Sequence, residues 1–222
     1  MSSPLDQFNE MTQALMANIR RAAFPPLNEL TVEQARRAYS SSVGAMEGGR
    51  AHVPRVEDFL IPGPAGLMRA RLWAPQARGP HDDLLPVMLW MHGGGFVVGS
   101  LDSHDEVCRL LAIHAKVQVL SIDYPLAPEA SPQQLIQSCE DALAWAYQNR
   151  RQLKIYKNRI AVAGDSAGGN ISTVVAQHAA GKSYAPQAQL LIYPTVDFKS
   201  RHPSFYAYGQ GLVLTSKDVD YV

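Results

Sequence analysis

Ile160-Ala161-Val162-Ala163-Gly164-Asp165-Ser166-Ala167-Gly168-Gly169-Asn170 is the stretch on which the reading of the fold turns. Its first four residues form a short apolar run of the kind that suits a strand buried on both faces, and a helical pattern follows from Asn170 to Ala180. Between the two stands G-x-S-x-G. A serine on a sharp strand-to-helix turn needs small neighbours, because strand and helix approach closely and the serine backbone is strained. Gly164, Gly168 and Gly169 supply that space. The helix N-terminus that follows carries a partial positive charge, and the amide of Ala167 can donate to an oxyanion forming at Ser166. Taken alone, the same residues also suit a purely structural Gly/Ser turn.

Working outward, Val87 to Met91, Val117 to Ile122 and Leu190 to Tyr193 are further short apolar runs, read as strands buried on both faces. Helical patterns fill Ser103 to Ala115 and Gln133 to Asn149. Strand and helix alternate, which predicts an α/β fold with a mostly parallel central sheet wrapped by helices. Ligands then bind beyond the carboxyl ends of the strands. Val53 to Ile61 and Leu67 to Trp73 read as an antiparallel pair across Pro62-Gly63-Pro64-Ala65-Gly66. Earlier, Leu5, Phe8, Met11, Leu15, Ile19 and Ala22 recur at helical steps up to Ala23, before Pro25-Pro26, and Thr31 with Gln34 forms a capping box for a second helix. Residues 1–50, closed by Gly48-Gly49, are therefore expected to be an N-terminal helical cap, and residues 51–222 the α/β domain.

A second element converges on Ser166. His92-Gly93-Gly94-Gly95-Phe96 follows the strand that ends at Met91, and a glycine-rich loop there presents backbone amides to an oxyanion. Neither a Lys-Ser/Thr pair nor a G-x-G-x-x-G spacing accompanies it, which argues against a phosphate-cradling loop or a dinucleotide fold.

His92-Gly93-Gly94-Gly95, Asp123-Tyr124-Pro125-Leu126-Ala127-Pro128-Glu129 and Gly164-Asp165-Ser166-Ala167-Gly168-Gly169, in that order, resemble the hormone-sensitive-lipase-like family of α/β-hydrolase esterases. The resemblance runs from about Val53 to the last residue, and takes in Gly99-Ser100-Leu101-Asp102-Ser103-His104-Asp105 and Leu191-Ile192-Tyr193-Pro194. It implies that Ser166 attacks an ester carbonyl, that the amides of Gly94, Gly95 and Ala167 hold the oxyanion, and that His92, Gly93, Gly164, Asp165, Gly168 and Gly169 shape the two loops. Glu129 is implied to hold loops near the site, although Pro125 stands where the family has arginine.

In this fold the partners of the serine come in the order Ser, then Asp or Glu, then His. After Ser166 the acids are only Asp197, Asp218 and Asp220 and the histidines are His178 and His202, and Thr215 opens what reads as a cap helix. Asp197 and His202 satisfy the order but fall where the family places a structural aspartate and a second cap segment. His114 and His178 fall on helices, and His52, His81 and His104 precede the serine. The expectation is the N-terminal part of a longer esterase whose last strands, triad acid and histidine lie elsewhere, leaving this chain by itself poorly active. A non-catalytic small-molecule receptor on the same fold is the rival, since the plant gibberellin receptors resemble this family and have lost the histidine.

Composition is compatible with this. The 222 residues are 46% hydrophobic and 18% charged, enough for one substantial core, and 20 basic residues balance 20 acidic ones. No long-range field favours nucleic acid, an anionic membrane or a charged substrate, so a small uncharged acyl ester of short or medium chain is the expected partner. No cofactor or metal is implied. Cys108 and Cys139 read as reduced buried thiols. With no apolar leader and no run near ~18 apolar residues, a cytoplasmic protein is expected.

Overall fold

The computed structural model describes residues 8–22, 25, 29–46, 49–77, 79 and 83–221. Leu5, Ala23, Pro26, Gly48 and His81 of the sequence reading lie outside them.

The chain runs α1 (Glu10–Ala22), α2 (Val32–Met46), β1 (Arg55–Gly63), β2 (Gly66–Ala74), β3 (Leu85–Met91), α3 (Asp105–Ala115), β4 (Gln118–Ile122), α4 (Pro132–Gln148), β5 (Ile155–Asp165), α5 (Ala167–His178), β6 (Ala188–Ile192), α6 (Pro203–Tyr208) and α7 (Ser216–Tyr221). The strands form one sheet in the order β1-β2-β4-β3-β5-β6. β1, β2 and β4 pair antiparallel, and β4, β3, β5 and β6 run parallel. The mostly parallel α/β sheet expected from the alternation of elements is the one observed.

Period-two alternation explains why the central strands are apolar throughout. Leu72, Leu89, Leu120 and Val162 join one buried cluster, which also takes in Leu143 of α4 and Ile171 of α5. Their neighbours Trp73, Trp90, Val119 and Ala163 join another, which includes Cys108 and Ala112 of α3. Each face has its own helical cover, so both sets of side chains leave water. Cys108 and Cys139 are free and buried, as expected.

Local signals set the helix starts. Thr31 and Gln34 exchange the reciprocal bonds of a capping box, Gln34 N donating to Thr31 Oγ1 at 3.3 Å and Thr31 N to Gln34 Oε1 at 2.9 Å. Ser131 and Gln134 repeat the device ahead of α4, with Pro132 at the first helical position. Thr215 caps α7, taking the amide of Asp218 on Oγ1 at 3.2 Å.

Three expectations need correction. The hairpin turn is tighter than Pro62–Gly66: the strands pair as far as Gly63 and Gly66, leaving Pro64 and Ala65 as the turn. α5 begins at Ala167 rather than Asn170, because helical geometry sets in immediately after the strained serine. β6 is not buried on both faces. Ala188, Gln189 and Leu190 are exposed and Leu191 and Ile192 half-buried, because β6 is the outer strand and is paired, among the described residues, on the β5 side alone.

Two compact units are present, Met1–Ala38 with Asp197–Val222, and Tyr39–Val196. Within the first unit, Arg20 Nη2 donates to the Gly211 carbonyl at 2.8 Å and Arg201 pairs with Asp220 at 2.5 Å, tying its two chain segments and its C-terminal helices. No described helix is long and apolar enough to cross a membrane.

Candidate active site

β3 and β5 are parallel neighbours, and their ladder ends with Met91 opposite Gly164. Whatever follows each strand must emerge at the same edge of the sheet. His92-Gly93-Gly94-Gly95 and Asp165-Ser166-Ala167 are therefore side by side, although some 70 positions separate them in sequence.

Ser166 has φ 51° and ψ −118°, a backbone conformation that side chains rarely adopt. The turn holds because nothing larger than hydrogen fits around it. A Cβ on Gly168 would lie 2.0 Å from the Met91 carbonyl oxygen, and one on Gly164 2.3 Å from the same atom. The Ser166 backbone is tied to the loop after β6: its amide donates to Ile192 O at 2.9 Å, and its carbonyl accepts from Thr195 N at 3.1 Å and Asn170 N at 3.1 Å. Asn170 Nδ2 also donates to Thr195 O at 2.8 Å. Among the described residues the Ser166 hydroxyl has no hydrogen-bond partner.

The glycine loop is anchored at its first residues and open at the next two. Tyr124 donates its hydroxyl to the His92 carbonyl, and their rings stack at 4.3 Å between centroids. Gly94 turns the chain at φ 116°, and its carbonyl accepts from Val97 and Val98 at 3.1 and 2.9 Å. Among the described residues, no acceptor takes the amides of Gly94, Gly95 or Ala167. Such amides can serve a developing negative charge.

His92 is fully enclosed and lies against the Gly93 carbonyl at 2.8 Å, so Nδ1 carries the proton and donates. Burial pushes its pKa down to about 3, and the neighbouring His104 works in the same direction. It is a neutral ring packed under the loop. The segment after β4 reaches the glycine loop through Ala127 N, which donates to Phe96 O at 2.9 Å. Asp123 Oδ1 accepts from Leu101 N at 2.8 Å, and Arg69 lies 3.3 Å from Asp123 Oδ2. With Pro125 in place of arginine, these described ties leave from Asp123, Tyr124 and Ala127.

Of the other acids and bases weighed in the sequence, Asp197 and His202 lie in the unit that does not contain Ser166. Asp197 is fully exposed and spends Oδ1 on Lys199 N and Ser200 N, at 2.8 and 3.0 Å. The hydrogen bonds from Ser200 pull its pKa down to about 2. His178 sits at the end of α5, paired with Glu140 at 2.5 Å, and His52 and His114 are exposed.

His104 has a place that the sequence reading did not give it. It is buried at the N-cap of α3, with Nε2 3.3 Å from Asp165 Oδ1 and Nδ1 2.9 Å from Ser103 Oγ. Its ring stacks on His92 at 5.4 Å and on Tyr39 at 6.5 Å. Burial and the Asp165 charge push the Tyr39 phenol up to about 12. A signal existed in the sequence: an acidic residue beside the serine of a buried turn must find a donor.

A family model described as the alpha/beta hydrolase fold matches residues 88–222. The carboxylic ester hydrolase LipN of Mycobacterium tuberculosis is 40% identical over 194 residues, which cover 84% of this chain and 50% of that one. Ethyl acetate hydrolase of Pseudomonas putida is 36% identical over 203 residues, 88% of this chain and 62% of that one. Among solved structures, the hyperthermophilic esterase of the archaeon Pyrobaculum calidifontis superposes with a TM-score of 0.86 at 33% identity, covering 96% of this chain and 68% of the other. The chain thus spans about half to two thirds of the length of these relatives.

Proposed function

Since this chain belongs to the α/β-hydrolase fold family, we propose that Ser166 is the nucleophile of a carboxylic ester hydrolase that works through an acyl-enzyme. The observation that carries the reading is the strained serine at the edge where, among the described residues, two amides of the glycine loop and that of Ala167 have no acceptor. Ser166 Oγ attacks the ester carbonyl, and the charge that collects on the carbonyl oxygen is met by the amides of Gly94, Gly95 and Ala167. Collapse expels the alcohol, and water then releases the acid. The substrate is a small uncharged ester with a short or medium acyl chain, in keeping with the balanced charge of the chain. Similarity to an ethyl acetate hydrolase favours the short end of that range.

The serine needs a base to take its proton. Within the unit that holds Ser166, His92 and His104 are committed to Gly93, Ser103 and Asp165, and His178 to Glu140. The 222 residues by themselves are therefore expected to hydrolyse esters slowly, with only the oxyanion donors and binding to help, about 10³–10⁴-fold over water.

A fluorophosphonate probe tests the assignment. It should label the full-length protein at Ser166, and Ser166→Ala should lose both the label and hydrolysis of p-nitrophenyl acetate. Labelling that survives in the alanine variant would overturn the assignment.

A further inference from the structure

The even overall charge of the chain conceals an uneven distribution. Because β3, β4, β5 and β6 run parallel, they all start at one end of the sheet, about 20 Å along β5 from the edge that carries Ser166. No Asp or Glu occurs from Val107 to Ile122, from Ala142 to Gly164, or from Ser166 to Val196. Cations collect in the same spans where the strands begin. Lys116 closes α3 just before β4, Arg150 and Arg151 follow α4, and Lys182 follows α5 ahead of β6. The Lys154 carbonyl accepts from Leu85 N at 3.0 Å and from Gln118 Nε2 at 3.1 Å, so this residue stands where β3 and β4 start.

Beyond Lys154 the start of β5 bulges outward. Leu85 pairs with Ile155 and Val87 with Ile160, so Tyr156, Lys157, Asn158 and Arg159 stand opposite the single residue Pro86, outside the ladder and exposed. Tyrosines are set among the cations: Arg150 lies over Tyr147 at 4.5 Å, Lys182 over Tyr184 at 5.5 Å and Arg159 over Tyr156 at 5.0 Å. The rings of Tyr147 and Tyr184 are themselves 6.4 Å apart. Among the described residues none of these cations forms an ion pair, whereas Arg69 and Arg71 at the opposite end lie 3.3 Å from Asp123 and 2.6 Å from Asp58. Of the acids at the basic end, Glu57 lies 3.9 Å from Arg55, and Asp83 stands just before β3.

Helix dipoles account for part of this pattern, since cations at the C-termini of α3, α4 and α5 are stabilising there. They do not account for Lys154, Lys157 and Arg159, which belong to a strand and its bulge, or for the lack of acids around them. We propose that this end of the sheet docks on an anionic phospholipid surface, with the Ser166 edge turned to water. Unpaired cations meet the charged headgroups, and tyrosine rings, apolar in body and polar at the tip, sit at headgroup level. Cations spread over four separate connections suit a plane of many headgroups better than one phosphate, which would need them to converge. The surface is built of helix ends and a strand bulge, not of a helix or two-stranded ribbon that could enter a nucleic-acid groove. Docked in this way, the protein takes its ester from the aqueous side, and the surface is independent of the chemistry at Ser166.

Vesicle sedimentation tests this with the full-length protein, using phosphatidylcholine with and without about one third phosphatidylserine at about 0.1 M salt. Binding should require phosphatidylserine and weaken as salt is raised. Arg151→Gln with Lys157→Gln should weaken it about 10- to 30-fold, about fivefold for each cation. Lys199→Gln with Lys217→Gln removes the same net charge from the other compact unit and should change binding less than about twofold. Both double variants should hydrolyse p-nitrophenyl acetate at the parental rate, which shows that they fold. If the first does not, Lys116→Gln with Lys182→Gln takes its place with the same expected loss. Equal binding to phosphatidylcholine alone, no binding to either vesicle, or an equal loss in both double variants would each overturn the proposal. So would binding to a DNA duplex by a protein that ignores the vesicles, which would assign the surface to nucleic acid.

Discussion

The ends of β3 and β5 differ from β6 in how they are held, although all three belong to one sheet. Leu89, Met91 and Val162 are fully buried, and the loops that follow are fixed by Tyr124, Asp165 and the close contact of Gly168 with the Met91 carbonyl. β6 pairs with β5 through its backbone, but Leu190 remains 36% exposed and Tyr193 75% exposed. Packing from both sides is what allows a strained serine to persist, because strain survives only where its surroundings over-determine it. The outer strand contributes backbone partners to the elbow, through Ile192 and Thr195, without being packed to the same degree.

Substitutions can break or sharpen this contrast. The largest effect is expected at Gly168, where Gly168→Ala forces a Cβ to within 2.0 Å of a backbone oxygen that cannot move without shifting β3. A loss above ~4 kcal/mol, or failure to fold, should be seen in urea unfolding, and a variant of parental stability would mean that the elbow is looser than described. Next comes Leu89→Ala in β3, which should cost about 2–5 kcal/mol in the same measurement.

A pH series comes third. Because the folded Asp165 ionises below its unfolded value, its contribution is fully present above the unfolded pKa, near ~4, and is lost as pH falls through the folded pKa. The stability gap between the parent and Asp165→Asn should therefore be widest at neutral pH and close between about pH 4 and the acid limit. A gap that widens on acidification would show that the carboxylate is not the stabilised form. The smallest effect belongs to Leu190→Ala in the chain described here, under about 1 kcal/mol, since the side chain is already in contact with water. A cost equal to that of Leu89→Ala would mean that something covers this face of β6, and the contrast between the strands would collapse.

Much of the site was legible from local chemistry. Gly164, Ser166 and Gly168 announce a tight strand-to-helix turn because only small residues can occupy it, and the glycine run after Met91 announces a backbone-lined loop. What these residues do not encode is their neighbourhood. Leu190 to Tyr193 looked like a strand buried on both faces because the apolar content of a strand does not say where in the sheet it will stand. The pairing of His104 with Asp165 escaped for a similar reason: 61 positions apart, they meet where the N-cap of α3 comes up against the end of β5, which no local pattern records.

By itself, then, the sequence determined the alternation of strands and helices, the elbow at Ser166 and the glycine loop, since each depends on the size and polarity of residues close together in the chain. Only the tertiary structure decided that β3 and β5 are parallel neighbours ending in register, which joins the loop to the elbow through Asp165. It also decided that β6 stands, among the described residues, at the edge of the sheet beside β5. Strand order is set by long-range packing and connection geometry, and those free energies are spread over the whole sheet instead of being written in any one stretch.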